Sequence, residues 1–199
     1  MSIGRRLLIW LVLSLTALWF VLWLDNRNSP VMPDSALPPG GDFVLSAASG
    51  PLGLKDFRGK VVLLYFGYTF CPDICPTSLA STAAGLKLLK PEELDRVAVI
   101  FVSVDPERDT PARLKEYAEF FHPKIHGVTG SPEALAEVAK RYRVFYARQK
   151  VDTAGGGYVI DHTSETYVID TFGALRGKIP HAAPAEQVVE SIRRYLTNN

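Results

Sequence analysis

Hydrophobic and polar positions along the chain fall into blocks of distinct period. The first block, residues 7–24 (LLIWLVLSLTALWFVLWL), holds no charge. As a helix rising about 1.5 Å per residue it would cover roughly 27 Å, enough to cross a hydrocarbon core about 30 Å thick. Farther on, residues 59–68 (GKVVLLYFGY) form a continuous apolar, β-branched and aromatic run, the pattern of a central strand buried on both faces. After Pro76, Leu79, Ala83, Leu86 and Leu89 keep helical spacing, and residues 97–104 (VAVIFVSV) read as a second buried strand, completing a βαβ unit. Thr110-Pro111 and Ser131-Pro132 each pair an N-cap with a proline at the first helical position, and predict two further helices. Leu114, Tyr117, Ala118 and Phe121 line the first of these; Leu135, Val138, Ala139 and Tyr142 line the second. A strand is expected over 144–150, a break at Gly155-Gly156-Gly157, then two strands over 166–170 and 175–179. Pro184 opens a last helix with Val188, Ile192 and Leu196 inward.

The ends of the first block set the expected topology. Arg5 and Arg6 are the only charged residues before it, so the positive-inside rule places residues 1–6 in the cytoplasm and everything after Asp25 outside. A cleaved signal peptide is the competing reading. The apolar stretch is longer than a signal core, ends on Trp23 and Leu24, and lacks an Ala-x-Ala site before Pro30, which favours an uncleaved anchor. A bacterial inner membrane with a periplasmic domain is the simplest setting. Residues 25–41 (DNRNSPVMPDSALPPGG) have the composition of a tether, and the folded domain is expected over 42–199.

Composition narrows the function without naming it. The chain has 199 residues, 47% of them hydrophobic, which suits one globular domain with an appendage and excludes disorder. Its 22 Lys+Arg balance 21 Asp+Glu for a net charge of +1, and no Lys/Arg run offers nucleic acid a basic face. A domain of this size needs no disulfide or metal for its core. Its two cysteines are free for chemistry.

Both cysteines lie in TFCPDICPTS, between the first central strand and its helix. Pro76 disfavours helical geometry at the preceding residue and suits the first helical position, so Cys75 is expected at the N-cap and Cys71 on the loop before it. Near a helix N-terminus the partial positive charge favours thiolate over thiol, and the pair becomes competent to attack disulfides or bind a metal. A structural disulfide is the competing reading. It is sterically possible at this spacing, but closing so short a loop gains little chain entropy. Strand, helix, strand, then two strands and a helix, with cysteines after the central strand, is the order of a thioredoxin-like α/β domain with a mixed sheet flanked by helices. In that layout the loop holding His162 (YVIDHTSETYVID) faces the cysteine loop. Two thiolates and one imidazole make a soft set suited to Cu(I), though zinc can use it as well. His122, His126 and His181 are read as bystanders near element ends.

Three stretches, DFRGKVVLLYFGYTFCPDICPTSL, VSVDPERDTPARLKEY and DHTSETYVID, resemble in order and spacing the signature blocks of the SCO/SenC family of copper proteins. The resemblance covers about residues 42–196. It implies a thioredoxin-like domain that binds one copper, as Cu(I) or Cu(II), through Cys71, Cys75 and His162. It also implies a role in assembling the dinuclear CuA centre on cytochrome c oxidase subunit II, either by delivering copper or by preparing the target's cysteines. A thiol reductant and a copper donor are the further partners such chemistry calls for.

The alternative is a membrane-tethered thiol-disulfide oxidoreductase in which Cys71 and Cys75 attack and resolve. Against it, Ser164 stands where reductases of this fold place a cis-proline. Asp105, Arg108 and Asp109 of DPERDTP look exposed and read foremost as a turn and helix start, with a role at the site as the other reading. Tyr68 and Phe70 flank the cysteines as packing, metal shield or partner contact, and Asp73 between them has no net predicted effect on their charge.

Overall fold

The computed structural model describes residues 10, 12, 13, 16, 37–151 and 157–196. Of the expected membrane anchor over 7–24, only Trp10, Val12, Leu13 and Thr16 are described, all with helical backbone; the rest of it, and residues 25–36 of the expected tether, lie outside the described residues. Among the described residues no helix is long and apolar enough to cross a membrane.

The domain begins with a hairpin, β1 (Val44–Ala47) and β2 (Gly50–Gly53), and a 3-10 turn, Leu54–Phe57. Next come β3 (Val61–Gly67), α1 (Ile74–Lys87), α2 (Pro91–Leu94), β4 (Val97–Ser103) and α3 (Pro111–Phe121). The remainder is β5 (Ile125–Val128), α4 (Pro132–Tyr142), β6 (Tyr146–Val151), β7 (Gly157–His162), β8 (Thr166–Ile169), β9 (Leu175–Ile179) and α5 (Ala185–Leu196). Five strands form the central sheet in the order β5-β4-β3-β8-β9. It is mixed: β3, β4 and β5 are parallel, while β8 and β9 join antiparallel.

The apolar runs become the two inner strands because every side chain of β3 and β4 is buried and needs cover on both faces. Alternation sorts the aromatic residues. Tyr65 stacks with Phe101 on one face, and Phe101 meets Tyr117 of α3. On the other, Phe66 and Tyr167 pack against Tyr142 of α4. Both expected proline-led starts are present, with Thr110 and Ser131 side chains accepting from the amides of Arg113 and Ala134. The domain's contacts begin before residue 42: the Gly40 amide donates to the Arg141 carbonyl, and the Tyr142 hydroxyl to that of Gly41.

Three expectations are corrected. Cys75 is not the N-cap; α1 starts at Ile74 with Asp73 at the cap, so Cys75 sits within the first turn. Pro76 then occupies the third helical position, where a missing amide is still harmless because the first four amides have no intrahelical partner. His162 is not in a loop but ends β7, which pairs with β6 in a separate two-stranded ribbon. Asp105 and Asp109 are not exposed: both are fully buried, and Arg108 pairs with Asp105.

Candidate metal centre

The site forms where three connections meet at one end of the sheet. Parallel strands β3 and β4 deliver their following turns to the same end, where open α/β sheets commonly gather ligands. Antiparallel β8 begins at that end, because Thr166 pairs with Tyr65 near the end of β3. The chain leading into β8 therefore brings His162 to the cysteines, although it lies 87 positions after Cys75.

Sγ of Cys71, Sγ of Cys75 and a ring nitrogen of His162 all lie within 4.8 Å of one another, a group able to hold one metal ion. Cys75 is fully buried, and its sulfur is 3.2 Å from His162 Nε2. Nδ1 of the same ring lies 3.0 Å from the Thr163 carbonyl oxygen. A carbonyl only accepts, so Nδ1 donates to it, and Nε2 is the ring nitrogen turned toward the sulfurs. The rings of Tyr65 and Tyr68 stand edge-on to the imidazole, with centroids at 6.1 and 5.9 Å, and limit its rotation.

The two sulfurs differ in charge. Cys71 Sγ accepts the Cys75 backbone amide at 3.4 Å, taking one of the unpaired donors at the start of α1. The Cys75 side-chain hydrogen bond, then His162 and the amides of Cys75 and Asp73, outweigh burial and bring the Cys71 pKa down to about 3. Burial, together with the neighbouring Cys71 charge, pushes Cys75 up. Without metal the pair therefore holds one proton, on Cys75. A charged sulfur, a thiol and an imidazole nitrogen face a single point. An open cleft of about 360 Å³, lined among others by Cys71, Ile74, Ile160 and His162, reaches it from solvent.

The turn between β4 and α3 supports this arrangement. Asp109 accepts from the Thr69 amide at 2.8 Å, the Thr69 hydroxyl at 2.6 Å and the Ser103 hydroxyl at 2.6 Å, and so fixes the chain two residues before Cys71. Tyr158, which the sequence did not single out, donates its hydroxyl to Asp105 at 2.7 Å. Its only sequence signal is an aromatic residue four positions ahead of His162 on the same strand face. Tyr68 is buried, its hydroxyl accepting from the Ile160 amide, whereas Phe70 is half-exposed beneath the guanidinium groups of Arg108 and Arg113. Asp73 is exposed and accepts from the Thr77 hydroxyl. His181, His122 and His126 serve elsewhere: the first meets Ser78, the second accepts the Lys124 amide, and the third packs on Phe57.

A thioredoxin-like domain carrying two cysteines and a histidine together beyond its central strand defines the class, a thiol-based metal-binding protein. The chain belongs to the SCO1/SenC family, whose description fits residues 32–197. An SCO2-like protein of Rickettsia conorii is 38% identical over 169 residues, 82% of each chain. The structure of Bradyrhizobium japonicum ScoI with copper bound is 40% identical with a TM-score of 0.70, and the match covers 79% of this chain and 99% of that one. BsSco, described as a member of the Sco family of cytochrome c oxidase assembly proteins, shares the fold at 24% identity with a TM-score of 0.64, over 85% of this chain and all of its own. Copper is the metal bound in homologous Sco structures.

Proposed function

We propose that this chain is a membrane-anchored copper-binding protein that delivers copper to, or prepares the cysteines of, the CuA site of cytochrome c oxidase subunit II. In this reading residues 7–24 anchor it in a bacterial inner membrane with residues 1–6 in the cytoplasm. Residues 25–41 tether a periplasmic domain, 42–199, that holds one copper on Cys71, Cys75 and His162. The observation that carries the reading is the convergence of those three ligand atoms, drawn from two distant segments, within 4.8 Å. Membership of a family with copper-bound members and with a member described as an oxidase assembly protein supports it.

The donor set suits the cargo. Two sulfurs and one imidazole favour Cu(I) over harder divalent ions. Cys71 is already a thiolate, so of the two sulfurs only Cys75 has a proton to release on binding, and His162 turns Nε2 toward them. The Cys71 side of the site opens to the cleft, where an acceptor's cysteine or histidine can displace one ligand at a time.

The test is metal analysis of the reduced full chain in detergent, loaded anaerobically with Cu(I), beside Cys75→Ser and His162→Ala. One copper per chain, lost with Cys75→Ser and held more weakly by His162→Ala, is the expected result. No copper on the reduced protein, together with catalytic turnover of a model disulfide, would move the assignment to a tethered thiol-disulfide oxidoreductase.

A further inference from the structure

The ribbon that carries His162 is not part of the central sheet: among the described residues β6 and β7 pair only with each other. A two-stranded ribbon is marginal by itself in water. Its placement over the cysteines must therefore come from contacts to the body of the domain: an exposed pair between Arg148 of β6 and Glu107, and a set on alternate residues of β7. Such residues turn their side chains to one face of the strand and their backbone polar groups to one edge. At Tyr158 the carbonyl accepts from Arg108 Nη1 at 3.0 Å; at Ile160 the amide donates to the Tyr68 hydroxyl at 3.1 Å; the next residue in the series is His162.

Arg108 is the centre of this attachment. Its guanidinium lies 3.7 Å from the ring centroid of Tyr158 on the ribbon, and 4.7 and 5.5 Å from those of Phe70 and Tyr68, which flank the cysteine loop. Its Nε pairs with Asp105, and the second oxygen of that carboxylate accepts the Tyr158 hydroxyl. One planar side chain thus touches both halves of the site. Only an arginine can stack on rings while donating in two directions in its own plane.

We infer that Arg108 is a positioning residue, which sets His162 against the cysteine pair by clamping β7 at Tyr158. The inference rests on the reading of His162 as a copper ligand. Loss of the clamp leaves both sulfurs in place, since Asp109 still accepts from the Thr69 amide and hydroxyl and Arg113 still covers Phe70. It frees the ribbon, so the imidazole leaves the metal while the sulfurs keep it.

The experiment compares wild type, His162→Ala, Arg108→Gln and Arg108→Lys as full chains in detergent. X-ray absorption of the Cu(I)-loaded proteins reads imidazole scattering, and amide hydrogen exchange is measured without copper. Arg108→Gln is expected to keep one copper but lose imidazole scattering as His162→Ala does. It should also raise exchange at Ile160 at least tenfold, with β3 and α1 unchanged. Arg108→Lys, which keeps the charge without the planar fork, should fall between. Wild-type scattering and Ile160 protection in Arg108→Gln would overturn the inference, as would loss of protection throughout the domain in both Arg108 variants, which marks a purely structural residue. If His162→Ala itself leaves the scattering unchanged, the ligand assignment fails, and the exchange data still report on the clamp.

Discussion

The sulfur of Cys75 occupies the space that a side chain at Gly67 would take: a Cβ built there would lie 2.5 Å from Sγ and 3.0 Å from Phe101. The last residue of the central strand is thus a seat for the buried cysteine. Gly67→Ala is expected to cost about 1–3 kcal/mol, the usual range for overpacking a filled core. It should also weaken Cu(I) binding at least tenfold by displacing Sγ. Thermal unfolding and competition against a Cu(I) chelator check the two effects.

Asp109 is fully buried and accepts three hydrogen bonds, two from Thr69 and one from Ser103. Asp109→Asn keeps the shape but turns one acceptor into a donor facing donors. Leaving buried groups unsatisfied costs about 1–3 kcal/mol, and denaturant unfolding should show a loss of that size. Because the loop before Cys71 loosens, copper dissociation should also accelerate, a change that stopped-flow transfer to a chelator reads directly.

Titration of the reduced, metal-free pair has a definite direction. With its pKa brought down to about 3 by the Cys75 side-chain hydrogen bond, His162 and the nearby amides, Cys71 is a thiolate across the neutral and mildly acid range. Iodoacetamide should therefore modify Cys71 before Cys75 at a rate, corrected for pH, that stays flat from pH 7 to about pH 5. An ordinary thiol would slow about a hundredfold over those two units. In Cys75→Ala the hydrogen bond is gone, the Cys71 pKa rises and the rate regains its slope. Mass spectrometry of the labelled peptide distinguishes the two sites.

Asp170 offers a control remote from the metal. Its carboxylate accepts the Phe172 and Ala174 amides and pairs with Arg176 in the turn between β8 and β9. Burial opposes ionisation there, but the Arg176 and amide hydrogen bonds outweigh it and lower the pKa from 3.8. A lowered pKa gives stability that is fully present above the unfolded value and fades as pH falls through the folded one. Asp170→Ala should therefore destabilise the domain at pH 7 by about 1–3 kcal/mol, with the difference from wild type shrinking below pH 3.8. Copper stoichiometry should be unchanged, which separates loss of stability from loss of the site. Equilibrium unfolding across pH, with metal analysis at pH 7, tests both.

The sequence by itself determined the central strands, the two helix starts at Thr110 and Ser131, and the cysteine pair beyond the first central strand. Those features depend on local period and local chemistry: buried runs over 59–68 and 97–104, proline after a capping Thr110 or Ser131, and two cysteines after a strand. Tertiary structure alone decided what depends on distance in space. DPERDTP reads as an exposed turn because charges and prolines favour surfaces, yet Asp105 and Asp109 are buried, since adjacent parallel strands deliver this turn beside the cysteine loop, where the Thr69 amide, three hydroxyls and the Arg108 guanidinium satisfy the carboxylates. The ribbon of β6 and β7 carries weak alternation, as its residues are mostly half-buried or exposed, so period alone did not place His162 on a strand. Its proximity to Cys75 follows from the Tyr65 and Thr166 register, a long-range pairing that no local pattern encodes.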